Sequence, residues 1–202
     1  MNNIITDGIG SITEAVLIGA ENFSEGEREE MLALGILSEG DHIPSFSLPP
    51  LDGERPPVGK RAMRAEVVLN EAYDYHPRPS SFSRGMRIDV GEMTILLISG
   101  TASIDEQGQT IHVGDFRAQC WRTYRNITEL LKSEGATWHD VVRASCYLRD
   151  IERDYRDFNE VRSAFFRWLG LDPLPASTGI QARLCREDLL VEIEAMAVIR
   201  AK

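Results

Sequence analysis

The chain has 202 residues, of which 43% are hydrophobic and 27% charged, a composition that supports one full core with an appendage and argues against global disorder or a second large domain. Its net charge is −10 at pH 7, and seven of those ten charges arise in residues 1–40, where eight acids (Asp7, Glu14, Glu21, Glu25, Glu27, Glu29, Glu30, Glu39) meet one base, Arg28. The remainder is nearly balanced and has no cluster of Lys and Arg to release counterions from phosphates, which argues against a nucleic-acid partner.

The opening MNNIITDGIG lacks the basic start, apolar stretch and small-residue cleavage site of a signal peptide, and no apolar run approaches the ~20 residues of a membrane span. A soluble, cytoplasmic protein with no membrane partner is expected. Residues 11–22 read as a helix. Ser24 and Glu27 have the spacing of a capping box, and Met31, Leu32, Leu34 and Leu37 supply the apolar face of a second short helix. Five of the nine prolines fall between Pro44 and Pro57, so an extended arm is expected from Gly40 to Gly59. The chain is therefore divided into an acidic helical segment with its Pro-rich arm, residues 1–62, and a regular domain, residues 63–202.

In that domain Arg64 to Leu69 and Gly85 to Val90 read as strands, and Met93 to Ser103 as a buried strand running into the small-residue turn Ser99-Gly100-Thr101. Asp115 is a candidate N-cap for a helix ending near Gly135, with Cys120, Tyr124, Ile127 and Leu131 as its apolar stripe. Val141 to Arg149 is a strand in which Val142, Ala144, Cys146 and Leu148 alternate against Arg143, Ser145, Tyr147 and Arg149. Asp154 is read as the cap of a helix with the stripe Phe158, Val161, Phe165 and Leu169 and a terminal Gly170. Strands Ala176 to Leu184 and Leu189 to Arg200 complete the order β-β-β-α-β-α-β-β. The fold class is α+β, a sheet with two long helices on one face.

Few residues stand out chemically. In the final strand, alternation places Glu192 and Glu194 together on one face. They are either solvated charges or acids lining a cleft, where partial burial raises a carboxyl pKa and suits it to proton transfer. Ser99-Gly100-Thr101 is either a structural turn or a place where backbone N–H groups meet a substrate oxygen. No Gly-x-Ser-x-Gly elbow surrounds Ser99, and His42, His76, His112 and His139 have neither triad nor metal spacing. Cys120, Cys146 and Cys185 form no CxxC and read as buried thiols. No metal and no cofactor are expected.

The segments ILLISGTASID, GDFRAQCWRTYRNITELLKSEGA, WHDVVRASCYLRD, DYRDFNEVRSAFF and LVEIEAMAV together resemble the Rid (YjgF-like, "endoribonuclease L-PSP") family over residues 64–202. The resemblance implies a chorismate-mutase-like α+β fold and a homotrimer around a central β-barrel, with a small-molecule ligand in each intersubunit cleft. A sheet covered on one face only also calls for association through the other. Carried over by position, the family's serine falls on Ser99, with Gly100 beside it, its helix asparagine on Asn159 and its acid on Glu192; its early tyrosine falls on Phe82.

Where that family hydrolyses reactive enamines and imines, an arginine after a Pro-Ala pair holds the substrate carboxylate. Here Pro175-Ala176 is followed by Ser177-Thr178, which cannot make the bidentate contact of a guanidinium. Arg84, Arg87, Arg183 and Arg186 are candidate replacements. The resemblance thus implies a deaminase-type hydrolase of altered specificity, with Glu192 and Ser99 catalytic and Phe82, Arg84, Gly100, Asn159, Ser177 and Thr178 binding substrate. SGTASID and CREDLLVEIEA are similar to the chorismatases as well, so a chorismatase-like hydrolase and a non-catalytic ligand-binding trimer stay open.

Overall fold

The structure, a computed structural model, describes residues 24–33, 58–75 and 80–200. The chain forms two compact units, Met1–Arg55 and Pro56–Lys202. In the first, helix α1 spans Glu25–Ala33. The capping box forms as the spacing predicts: the Ser24 N–H donates to Glu27 Oε2 at 2.6 Å and the Glu27 N–H to Ser24 Oγ at 3.2 Å, which together hold the Glu27 carboxyl below its ordinary range. The helix expected at 11–22, the apolar side chains at Met31, Leu32, Leu34 and Leu37, and the arm through residue 57 lie outside the described residues.

The second unit carries β1 (Lys60–Ala62), β2 (Gly85–Val90), β3 (Met93–Ala102), α2 (Phe116–Ser133), β4 (Val141–Leu148), α3 (Ile151–Leu169), β5 (Ala176–Gln181) and β6 (Val191–Arg200). The six strands form one sheet in the order β1-β2-β3-β6-β4-β5. Only the β4–β5 pair is parallel, as a crossover through a helix requires. The final strand lies in the middle of the sheet, between β3 and β4, which accounts for its apolar content.

Three expectations are corrected. Arg64 to Leu69 is not a strand: the Val68 and Leu69 N–H groups both donate to the Ala65 carbonyl at 2.9 Å, making a tight turn that buries Val68 and Leu69 and leaves Val67 exposed. The first strand is instead the three-residue edge Lys60–Ala62. Asp154 does not cap α3. Asp150 does, accepting the Arg153 N–H at 3.0 Å, while Asp154 is buried within the helix and bonded by Arg153 Nε and Nη2 at 2.7 and 2.6 Å. Cys120 and Cys146 are buried, and burial pushes both thiols up, but Cys185 is exposed.

Helices α2 and α3 cover one face of the sheet. Cys120, Tyr124, Ile127 and Leu131 from α2 and Phe158, Val161 and Phe165 from α3 join Leu96, Ile98, Ala144, Cys146, Leu148, Val191 and Ile193 in a single core. Tyr124 stacks on Phe165 at 4.6 Å between ring centres, and Trp138 meets Phe165 edge-on at 5.3 Å, which fixes the helices against each other. Gly170 ends α3 in the left-handed conformation, φ 65°, where a side chain would be strained. Buried Gln119 spans from helix to sheet: Nε2 donates to the carbonyls of His112 and Asp188, and Oε1 accepts the Leu190 N–H at 2.8 Å.

The other face of the sheet is open. Met86, Leu97 and Met196 lie side by side across β2, β3 and β6, and Ile88, Ile95 and Val198 form the next row. Leu97 is 40% exposed and Met93 42%, so among the described residues of the second unit an apolar band runs across this side without a layer packed over it.

Two irregularities break the register on this face. Ser99 and Gly100 stand between Ile98 and Thr101 of β3 where β6 has only Glu194 between Ala195 and Ile193. In β4, Val142 is extra: its neighbours Val141 and Arg143 pair with the consecutive residues Ala197 and Met196. Such bulges re-aim the side chains beyond them. From Arg143 on, regular alternation points Ala144, Cys146 and Leu148 into the core and Arg143, Ser145 and Tyr147 toward the open face, and the second bulge leaves Val142 exposed instead of joining the core-facing set as its alternation implied.

Candidate functional site

On the open face, a cavity of about 480 Å³ lies where the two bulges approach each other. The segment entering β2 supplies Phe82 and Met86, β3 supplies Leu97 and Ser99, β4 supplies Arg143 and Ser145, and β6 supplies Glu194 and Met196. Apolar walls with a few convergent polar groups are the ordinary make-up of a small-molecule site.

Ser99 is held by its neighbours: Oγ donates to the Ser83 carbonyl at 2.7 Å and its N–H to the Arg84 carbonyl at 3.1 Å. The Arg84 N–H in turn donates to Glu71 Oε2 at 3.3 Å. The buried Glu71 thus anchors the strand entry against which Ser99 is set, at the cost of a carboxyl pushed up by burial. Glu192 packs over Gly100, where an added methyl would overlap Oε1 of the carboxyl. Burial, and secondarily the charge of Glu194, push Glu192 above the ordinary carboxylate range, while Arg84 works in the opposite direction. Glu194 accepts the Tyr147 hydroxyl at 3.0 Å, and that bond pushes the Tyr147 phenol up.

The sequence-derived candidates fall into distinct places. Ser99 and Phe82 line the cavity, and Glu192 and Gly100 form a close pair beside it at the first bulge. Arg84 lies behind Phe82: buried, with its guanidinium carbon 5.1 Å from the Tyr75 ring centre and 5.2 Å from that of Phe82, and Nε on the Asn70 carbonyl at 3.0 Å. Asn159 and Ser177 are on the helix-covered side, at the β5 edge. Asn159 Nδ2 donates to the Tyr155 carbonyl at 2.9 Å, Asn159 Oδ1 accepts Arg162, and Arg162 Nη1 donates to Ser177 Oγ at 3.2 Å. Thr178 faces the open side and accepts Arg143 Nη2 at 3.2 Å. Within one subunit, then, Ser99, Phe82, Gly100 and Glu192 converge while Asn159 and Ser177 stand apart.

Sequence reasoning passed over Arg143, Ser145 and Tyr147. Their alternation in 141–149 was visible, but only the pairing of β4 with β6 shows that Ser145 lies opposite Glu194 and Tyr147 opposite Glu192. Among the described residues, no group of three or more His, Cys, Asp or Glu side chains is placed to hold a metal ion, and no helix is long and apolar enough to cross a membrane.

This fold and site define a known class. The model of the Endoribonuclease L-PSP family matches residues 77–199, and the chain belongs to that family, also called Rid or YjgF-like. A RutC family protein of Pyrococcus abyssi is 29% identical over 136 residues, 67% of this chain and 98% of that protein. The 3-aminoacrylate deaminase RutC of Acinetobacter baylyi is 32% identical over 103 residues, 51% of this chain and 78% of that protein. Among solved structures, the YjgF gene product of E. coli superposes with a TM-score of 0.54 at 23% identity, over 68% of this chain and 98% of that one, which establishes the shared fold.

Proposed function

We propose that this chain is a hydrolase of reactive enamines and imines, with a specificity altered by the absence of an arginine at residues 176–178. The observation that carries the reading is the Glu192 carboxyl, seated on Gly100 at the β3 bulge and raised by burial beside a cavity of substrate size. An acid that keeps its proton above the ordinary carboxylate range is suited to give it to a nitrogen. As water adds to the C=N carbon, Glu192 protonates the nitrogen and recovers a proton from the adding water. Glu192 then protonates the carbinolamine nitrogen and takes the hydroxyl proton as the C=O bond forms, the C–N bond breaks, and ammonia and a ketone or 2-oxo acid leave.

Ser99 and Phe82 shape the pocket, Ser99 as a hydroxyl fixed by the Ser83 carbonyl and Phe82 as an apolar wall. The reading calls on no metal or organic cofactor. It gains support from the deaminase named among the relatives. RNA is a poor substrate for a chain of net charge −10 without a basic stripe.

The reading includes a homotrimer closed through the open sheet face into a central barrel. The apolar band across β2, β3 and β6 is the surface such an assembly covers, and Asn159, Ser177 and Thr178, at or near the β5 edge, are then available to a neighbouring subunit's cleft. The test is ammonia release from imines generated in situ by an amino-acid oxidase, with and without the protein. Acceleration over the spontaneous reaction supports the reading, and none on either 2-aminoacrylate or bulkier imines overturns it.

A further inference from the structure

The cavity contains one guanidinium that no acid occupies. Arg143 lines it, and among the described residues no carboxylate lies within 4 Å of its nitrogens. Among the described residues its one side-chain hydrogen bond is that from Nη2 to Thr178 Oγ1. The nearest acid on the same wall, Glu194, is bonded by Tyr147. Regular alternation with core-facing Ala144 and Cys146 puts Arg143 on this side of the sheet, opposite Met196.

The other arginines are spent elsewhere. Arg84 is sandwiched between Tyr75 and Phe82 and bonded to Asn70. Arg87 serves Asp89 and Glu134, Arg186 bonds the Gly108 carbonyl, and Arg162 lies with Asn159 and Ser177 on the helix-covered side. Arg183 is exposed in the loop before β6 and does not line the cavity.

We infer that Arg143 is the specificity-determining residue of this cavity and anchors the carboxylate of a small acid whose apolar side chain lies against Phe82. A guanidinium presents two parallel N–H donors to a carboxylate, and the hydroxyls of Ser99 and Ser145 stand on the same cavity wall for the ligand's second polar group. A neutral ligand of equal shape leaves that fork unmatched. The ligand class is therefore a 2-oxo or 2-imino acid carrying an aliphatic or aromatic side chain, with the anchor on β4 and not in the segment after Pro175.

This rests on the cavity's being the substrate site, so the test measures binding and not turnover. Calorimetry with 2-oxo-4-methylpentanoate and with its methyl ester is carried out on the wild type, Arg143→Gln and Arg143→Lys. Arg143 is exposed, and circular dichroism checks that each variant is folded. The wild type is expected to prefer the acid by about tenfold or more, Arg143→Gln to lose that preference while keeping its affinity for the ester, and Arg143→Lys to keep part of it. Equal binding of acid and ester by the wild type, an unchanged preference in Arg143→Gln, or no binding of either compound overturns the inference. Binding that depends on Arg143 without any imine turnover would leave the anchor standing and remove only the hydrolase.

Discussion

Glu192 packs so closely over Gly100 that the pair makes a separable prediction. The atom that a methyl on Gly100 would strike is the far end of a flexible side chain, so Gly100→Ala is accommodated by moving the carboxyl, with little cost to the fold. A displacement of about 1 Å at a reacting group lowers turnover on the order of 10²-fold. We expect Gly100→Ala to unfold within a few degrees of the wild type while kcat falls by that order. A melting temperature that drops together with kcat would mean that the glycine serves packing only. At this scale the sequence was informative where chemistry is local: one strand end and one alternation offered Ser99-Gly100-Thr101 and the pair Glu192 and Glu194, and the family resemblance singled out Ser99, Gly100 and Glu192 among them. Arg143 was not singled out, because alternation sets it on the face away from Cys146 and Leu148, but only the pairing of β4 with β6 shows that this face is the open one and that Arg143 lies opposite Met196.

Among the elements, the secure ones were those whose periodicity is long. The α2 stripe falls on buried residues as the spacing implied, as do Phe158, Val161 and Phe165 of α3 with Leu169 partly buried at its end, and β2 spans the residues expected for it. Short apolar runs were ambiguous: Arg64 to Leu69 has strand-like content, yet its buried Val68 and Leu69 are adjacent, which a tight turn allows and a strand on a one-sided sheet does not. The edge strand β1 was illegible for a different reason, since its residues are Lys60, Arg61 and Ala62 and its attachment is ionic. Arg61 makes a two-pronged bond to Glu134 at 2.8 and 2.6 Å, and Arg87 reaches the same carboxylate at 3.3 Å. The Glu134 side chain is 1% exposed, so its removal leaves the Arg61 guanidinium without its acid and Arg87 with Asp89 alone. Glu134→Ala is expected to lower stability by about 1.5–3 kcal/mol, read as a lower urea midpoint at unchanged slope. An unchanged midpoint would show that β1 is held by its strand pairing alone.

For the whole molecule, the open sheet face decides the assembly. Leu97 sits in the middle of the apolar band, flanked by Met86 and Met196, and is 40% exposed in the single chain. A charge at its centre does not disturb the core, which lies on the opposite face of the sheet, but it opposes any partner covering the band. Light scattering is expected to give three times the 22.7 kDa chain mass for the wild type and a folded monomer for Leu97→Glu. A monomeric wild type contradicts the trimer. The family relationship was legible in the sequence because its motifs sit at strand ends and helix openings. The separation of Asn159 and Ser177 from Ser99 and Glu192 was not, since it depends on which side of the sheet each side chain leaves.

The central claim is that Glu192 transfers the proton, and the pH dependence of imine hydrolysis by the wild type and Glu192→Gln tests it most directly. Burial favours the protonated form, so the acid persists above the ordinary carboxylate range, and kcat should fall as pH rises through that raised pKa. In Glu192→Gln the descending limb should vanish and kcat should be lower by about 10²–10⁴-fold at pH values below it. An unchanged rate in Glu192→Gln, or the same descending limb in both proteins, would contradict the account.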